Sequence, residues 1–167
     1  MNSILAILLF AGVACACAQE PMKILSPAFP DGGKIPARYT ADGENISPPL
    51  QITGAPPAAK SLVVVVDDPD APNGTWTHWL VWNLKPDLKQ IAEGVVPSGA
   101  VQGSNDFRKS NYGGPSPPSG VHRYVFKLYA LDEPLNLPAT TNRKALDAAL
   151  RGHILAEAKW MGHYERP

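Results

Sequence analysis

The stretch LVVVVDDPDAPNGTWTHWLVWNL, residues 62–84, decides the fold. Its opening run, Leu62 to Val66, is continuous, apolar and mostly β-branched, the composition of a strand buried on both faces. That strand delivers the chain into Asp67-Asp68-Pro69-Asp70-Ala71-Pro72, where the prolines remove ladder donors and impose a rigid turn. An acidic loop therefore sits at the end of a core strand, where its backbone is firmly held. From Trp76 onward a strand pattern resumes. Strict alternation puts Trp76, His78, Leu80, Trp82 and Leu84 on one face, which predicts that His78 projects inward at the open end of a core-facing row.

Working outward, YGGPSPPSGVHRY at residues 112–124 has the same grammar: a Pro/Gly-rich loop, then a histidine opening a hydrophobic strand. His122, Tyr124, Phe126, Leu128 and Ala130 share one face, with Arg123 and Lys127 on the other. If the two strands lie in one sheet, or face each other across the core, two imidazoles, the Asp68 and Asp70 carboxylates and several aromatic rings meet in a small polar pocket. Spacing alone leaves two readings open. Either the cluster binds an anion, or Asp-Pro-Asp-Ala-Pro is simply a rigid turn beside satisfied core-edge histidines.

Turn signals elsewhere, at residues 31–33, 42–43, 47–49 and 55–57, separate short segments and predict an antiparallel β-sandwich. Thr141-Asn142 offers an N-cap to a short helix through Ala145, Leu146, Ala149 and Leu150, ended by Gly152. Ile154, Ala156, Ala158 and Trp160 then alternate with Glu157 and Lys159, favouring a final strand, although the Ala-rich composition also suits a helix.

Composition narrows the function classes. The 167 residues predict one domain, and 15 basic against 15 acidic side chains leave no charge excess. Without a basic stripe the footprint of a nucleic-acid binder is missing, so no nucleic-acid partner is expected. Residues 1–18 carry no charged side chain; the apolar run Ile4 to Val13 is too short to span a bilayer and precedes two A-x-A patterns, Ala14-Cys15-Ala16 and Ala16-Cys17-Ala18. This predicts a signal peptide at residues 1–18, a mature domain at 19–167, and export to a periplasmic or extracellular space. Lipid anchoring through Cys17 is the minor alternative. Both cysteines lie in that leader, so the mature chain has neither disulfide nor thiol chemistry.

The run D-P-D-A-P followed by W-x-H-W, with G-P-x-P-P-x-G-x-H-R-Y-x-F-x-L-Y-A-L-D downstream, resembles the phosphatidylethanolamine-binding protein family, in particular its bacterial Raf-kinase-inhibitor-like branch. The likeness runs from Ile24 to about Tyr164. It implies a mostly β, antiparallel sandwich with a short helix near the C-terminus. It also favours the pocket reading and implicates Asp68, Asp70, Trp76, His78, Gly114, Pro118, His122 and Tyr124 in binding a ligand. The segment between Pro72 and Trp76 is shorter than in animal members, and the chain ends soon after Tyr164 without their C-terminal helix. A more open pocket is expected, and kinase regulation does not transfer from those relatives.

The expected function is binding of a phosphate-bearing or similar anionic small ligand by His78 and His122, with Asp68 and Asp70 orienting the imidazoles or meeting the ammonium of a zwitterionic ligand. A nearby carboxylate would raise the imidazole pKa above its reference near 6.5. The resemblance offers an alternative, an interaction protein acting as a kinase- or peptidase-inhibitor-like regulator through a protein partner, and bacterial relatives suggest a homodimer. Trp82 is expected in the core, and Trp76 and Tyr124 at the pocket rim. The common hydrolase, zinc-protease and P-loop motifs are missing, so no enzyme activity, cofactor or metal is expected, although His78, His122 and Asp70 are of types that suit a metal or acid–base site.

Overall fold

Val63 and Val65 leave their strand on one side and Leu62, Val64 and Val66 on the other, and each side has an apolar cluster of its own. The computed structural model describes residues 20–167. The expected leader, with Cys15 and Cys17, lies outside the described residues. The buried strand is β4 (Ser61–Asp68), which pairs antiparallel with β5 (Trp76–Leu84) on one side and β8 (His122–Leu131) on the other. A six-stranded sheet is completed by β9 (Ile154–Tyr164) beside β8, β2 (Gly33–Lys34) beside β9, and β7 (Val101–Gln102) beside β5. The β2–β9 pair is parallel, whereas the other strand pairs among the described residues are antiparallel. Facing this sheet is a smaller one of β1 (Lys23–Leu25), β3 (Leu50–Thr53) and β6 (Gln90–Ile91).

The core between the sheets unites Leu62, Val64, Val66, Phe126 and Leu128 with Ile24, Leu50, Ile52 and Ile91. On the far side of the large sheet Val63, Val65, Leu80 and Trp82 are covered by Leu146 and Leu150 of helix α1 (Arg143–Leu150). The helix begins as its sequence predicts: the Asn142 side chain accepts the Ala145 N–H at 3.0 Å, and Gly152 follows with φ +83°. The final segment is a strand along its whole predicted length. Trp82 is fully buried, as expected.

Strict alternation along β5 fails, and the failure shapes the site. Val66 pairs with Trp79 but Asp67 pairs with Thr77, so His78 is an extra residue in a β-bulge. The bulge shifts the phase of the strand. Trp79 and Val81 join the core between the sheets, while Leu80 and Trp82 pack on the helix side. A second irregularity at Asn83, whose φ of 59° is left-handed, restores Leu84 to the first core. The row Trp76, His78, Leu80, Trp82, Leu84 therefore does not share one face. His78 faces the ring of Tyr124 on β8, the two centroids 5.1 Å apart.

Candidate functional site

Because β4 lies between β5 and β8, its terminal carboxylate is held between the two histidine-bearing strands. Asp68 Oδ2 accepts the His122 Nδ1–H at 2.7 Å, and both side chains are buried. The other oxygen, Oδ1, accepts the Asp70 N–H at 2.8 Å, closing the turn. Asp68 is thus pinned through both oxygens. Hydrogen bonds that involve an ionised partner are the short, strong kind, so this pair sets the local geometry.

His78 is anchored differently. Its Nδ1 lies 2.7 Å from the Gly113 carbonyl oxygen, and a carbonyl can only accept, so Nδ1 carries the proton. The other nitrogen, Nε2, makes no protein hydrogen bond among the described residues and, in the neutral ring, is an acceptor. Burial is the largest influence on this ring and lowers its pKa below 6.5, although the Gly113 carbonyl and the Asp68 and Asp67 charges pull the other way. The expected upward shift is therefore reversed at His78, because loss of solvent outweighs the neighbouring carboxylates.

A cavity of about 220 Å³ opens beside these groups, lined by Asp68, Trp76, His78, Phe107, Ser116 and Pro118 and by the turn from Ala71 to Asn73. Trp76 and Phe107 form its lip, partly exposed and packed edge to face at 5.5 Å; Phe107 also contacts the His78 ring at 5.2 Å. Its lining residues carry polar groups of both kinds: the Asp68 carboxylate and the unprotonated His78 nitrogen are acceptors, and the Ser116 hydroxyl, Asn73 amide and Trp76 indole are donors.

Of the residues expected at the site, Asp68, Trp76, His78 and Pro118 line this cavity. His122 is 6% exposed and stands behind Asp68 as its hydrogen-bond partner rather than on the wall. Tyr124 is fully buried rather than at the rim, because it falls on the inward side of β8 beneath His78. Its Oη lies close to Asp68 and the Ser116 backbone without reaching good hydrogen-bond geometry to either; burial first, and then the Asp68 charge, push the phenol pKa upward. Asp70 is drawn outward instead. Its carboxylate takes Arg123 Nε at 2.8 Å, Nη2 at 2.6 Å and the Arg123 backbone N–H at 2.9 Å, and the Arg123 guanidinium holds its pKa down to about 2. Gly114 lines a neighbouring cavity, where its N–H donates to Asn45 Oδ1 at 2.7 Å and a Cβ would lie 2.8 Å from the Thr40 backbone. Phe107, Ser116 and the turn residues Ala71, Pro72 and Asn73 are wall residues that the sequence reading did not assign to the site. Phe107 comes from an irregular loop with no periodicity to mark it, whereas Ser116 lay within a quoted motif.

Among the described residues no three histidine, aspartate or glutamate side chains converge as metal ligands. His78, His122 and Asp70 point to different partners: a backbone carbonyl, Asp68 and Arg123.

With this geometry in hand, the family is plain. The model of the phosphatidylethanolamine-binding protein family matches residues 25–165, and the chain belongs to that family. It is 51% identical over 150 residues to a UPF0098 protein of Methanothermobacter thermautotrophicus, covering 87% of this chain and 99% of the relative. A UPF0098 protein of Pyrococcus horikoshii is 45% identical, covering 98% and 87%. Among solved structures, a phosphatidylethanolamine-binding protein homologue of Chlamydia trachomatis superposes with a TM-score of 0.85 at 43% identity, covering 88% of this chain and 99% of that one. Escherichia coli YbcL, described as a member of the mammalian family, gives 0.84 at 29%, covering 89% and 100%. The family supports a ligand-binding protein on a mostly β fold.

Proposed function

We propose that the protein binds a small phosphate-bearing ligand in the cavity beside His78. The observation that carries this reading is the free Nε2 of a buried imidazole whose Nδ1 is fixed by the Gly113 carbonyl. A phosphate monoanion or monoester brings its own proton. It donates that proton to Nε2, or transfers it and pairs with the resulting imidazolium. Asp68 on the same wall is not an isolated repulsive charge, because His122 and the Asp70 N–H already occupy its oxygens. The donors of Ser116, Asn73 and Trp76 serve the remaining phosphate oxygens, and the aromatic lip shelters the bound group. In this reading His122 acts through Asp68 rather than on the ligand, and Asp70 with Arg123 braces the turn.

Isothermal titration with inorganic phosphate tests the proposal. His78→Gln preserves size but removes the ionisable ring, and it should weaken binding by about 1.5–3 kcal/mol, the range for hydrogen bonds to charged groups. Equal affinity in the wild type and this variant, with both folded, would place the ligand elsewhere.

A further inference from the structure

The cavity beside His78 has a neighbour. A second hollow of about 200 Å³ is lined by Asn45, Asn105, Lys109, Asn111, Gly113 and Gly114, among others, and Phe107 and Ser116 line both. Neither hollow alone, at about 200 and 220 Å³, reaches the volume usual for small-molecule sites, about 300–1,000 Å³, whereas the two together do. Phe107 and Ser116 stand at their shared border.

The seat of the Phe107 ring is unusual. A Cβ built on Gly113 would lie 2.7 Å from both Cδ2 and Cε2 of Phe107 and would meet no other atom closer than 3.6 Å. One edge of the ring occupies the space where any other residue would put its Cβ. The backbone beneath it is pinned: Asp106 N–H donates to the Thr77 carbonyl at 3.0 Å, Asn105 N–H to the Lys109 carbonyl at 3.0 Å, and Arg108 takes a left-handed φ of 60° to close the turn. Phe107 itself is 38% exposed. The loop backbone is therefore held by hydrogen bonds while the Phe107 side chain borders solvent, the arrangement that a side-chain rotation needs.

We infer that Phe107 is a side-chain gate between two compartments of one elongated ligand site, seated on Gly113. The inference rests on the phosphate reading for the first compartment and assigns the second to the rest of the ligand. The second compartment's groups define that part. Asn45 Oδ1 is taken by the Gly114 N–H, which leaves its amide nitrogen to donate, and the Lys109 ammonium makes no ion pair among the described residues. The occupant is a short organic group with hydrogen-bond acceptors or a second negative charge. The ligand class is thus a small phosphomonoester bearing a carboxylate or carbonyl.

Two probes separate the compartments: inorganic phosphate, which occupies the first alone, and 3-phosphoglycerate, which carries a carboxylate beyond its phosphate. Wild-type protein should bind 3-phosphoglycerate more tightly than phosphate. Lys109→Met should weaken 3-phosphoglycerate by about two- to fivefold, the effect of one screened ion pair, and leave the phosphate Kd unchanged. Stopped-flow fluorescence, reporting through Trp76, should show faster association of 3-phosphoglycerate in Phe107→Ala, which deletes the gate, and in Gly113→Ala, which unseats it. Thermal melts establish that each variant is folded; if Gly113→Ala is not, Phe107→Ala decides alone. Equal wild-type affinity for both probes, a Lys109→Met variant that alters both alike, or unaltered association on loss of the Phe107 ring each overturns the gate while leaving phosphate binding intact. Failure of both probes to bind wild-type protein overturns the phosphate reading and the gate together.

Discussion

Asp67 and Asp68, consecutive on β4, serve opposite faces of the six-stranded sheet. Asp68 turns toward the candidate cavity and holds His122, whereas Asp67 turns toward α1 and holds Lys127 at 2.8 Å, Arg143 at 3.2 Å and the Thr77 hydroxyl at 2.9 Å. Burial works to raise the Asp67 pKa, but the Arg143 and Lys127 charges and hydrogen bonds outweigh it and keep the carboxylate ionised. Strand alternation thus separates a site carboxylate from a structural one.

That division predicts different outcomes for the two acids. Asp67→Ala leaves Lys127 and Arg143 facing a vacated buried position and should destabilise the fold by about 3 kcal/mol, read from chemical denaturation. Phosphate affinity in the folded fraction should be little changed.

Asp68→Asn keeps the shape of the side chain but removes the charge that His122 donates to. Phosphate binding should weaken, because the wall of the cavity is released. A crystal structure of the variant should show His122 turned from its present position. An unmoved His122 with full phosphate affinity would mean that the pair has no positioning role.

The pH dependence follows from His78. Its pKa in the ligand-free protein lies below 6.5, and a bound anion at Nε2 raises it, so binding takes up a proton. Phosphate affinity should increase as pH falls through 6.5 and level off below the depressed ligand-free value, after correction for the titration of phosphate itself. Stability without ligand runs in the opposite sense. The folded state prefers the neutral ring, so its contribution is complete above the unfolded pKa near 6.5 and is lost as pH falls toward and through the depressed folded value. His78→Gln should flatten both profiles.

Tyr124→Phe provides a control. The Tyr124 hydroxyl is buried beside Asp68 and the Ser116 backbone but makes no hydrogen bond of good geometry, so removing it should change stability by about 1 kcal/mol or less. A loss of several kcal/mol would mean that the hydroxyl has a partner in solution, such as an ordered water.

The buried β4 and the capped helix are legible because each rests on composition or periodicity within one segment, and the sandwich on turn signals spread along the chain; the last strand, whose Ala-rich composition also suits a helix, rests on the family resemblance. The face that His78 occupies was legible only by accident. Alternation assigned it to the row of Leu80 and Trp82, and the bulge returned it to the site side while sending those residues to the helix side. A bulge is a property of two paired strands, and one strand's pattern does not contain it. The reversal of the His78 pKa has the same origin, since burial depends on the β8 and Phe107 rings packed against the imidazole. The outward turn of Asp70 was in principle available from the alternation of Arg123 against His122 on β8. Phe107 was not, because its place depends on the fold of a loop and on a glycine in another segment.

Heteronuclear NMR of the histidine ring nitrogens, during titration with inorganic phosphate near pH 6.5, reports directly on whether phosphate meets His78. In the free protein His78 Nδ1 should show the shift of a protonated nitrogen and Nε2 that of an unprotonated one. At saturation Nε2 should move toward the protonated value while Nδ1 keeps its bond to Gly113. The half-buried His153 ring, in the turn before β9 and held by Asp132 at 2.9 Å, should stay unchanged. An Nε2 resonance of His78 that stays in place while phosphate saturates the protein would contradict the account.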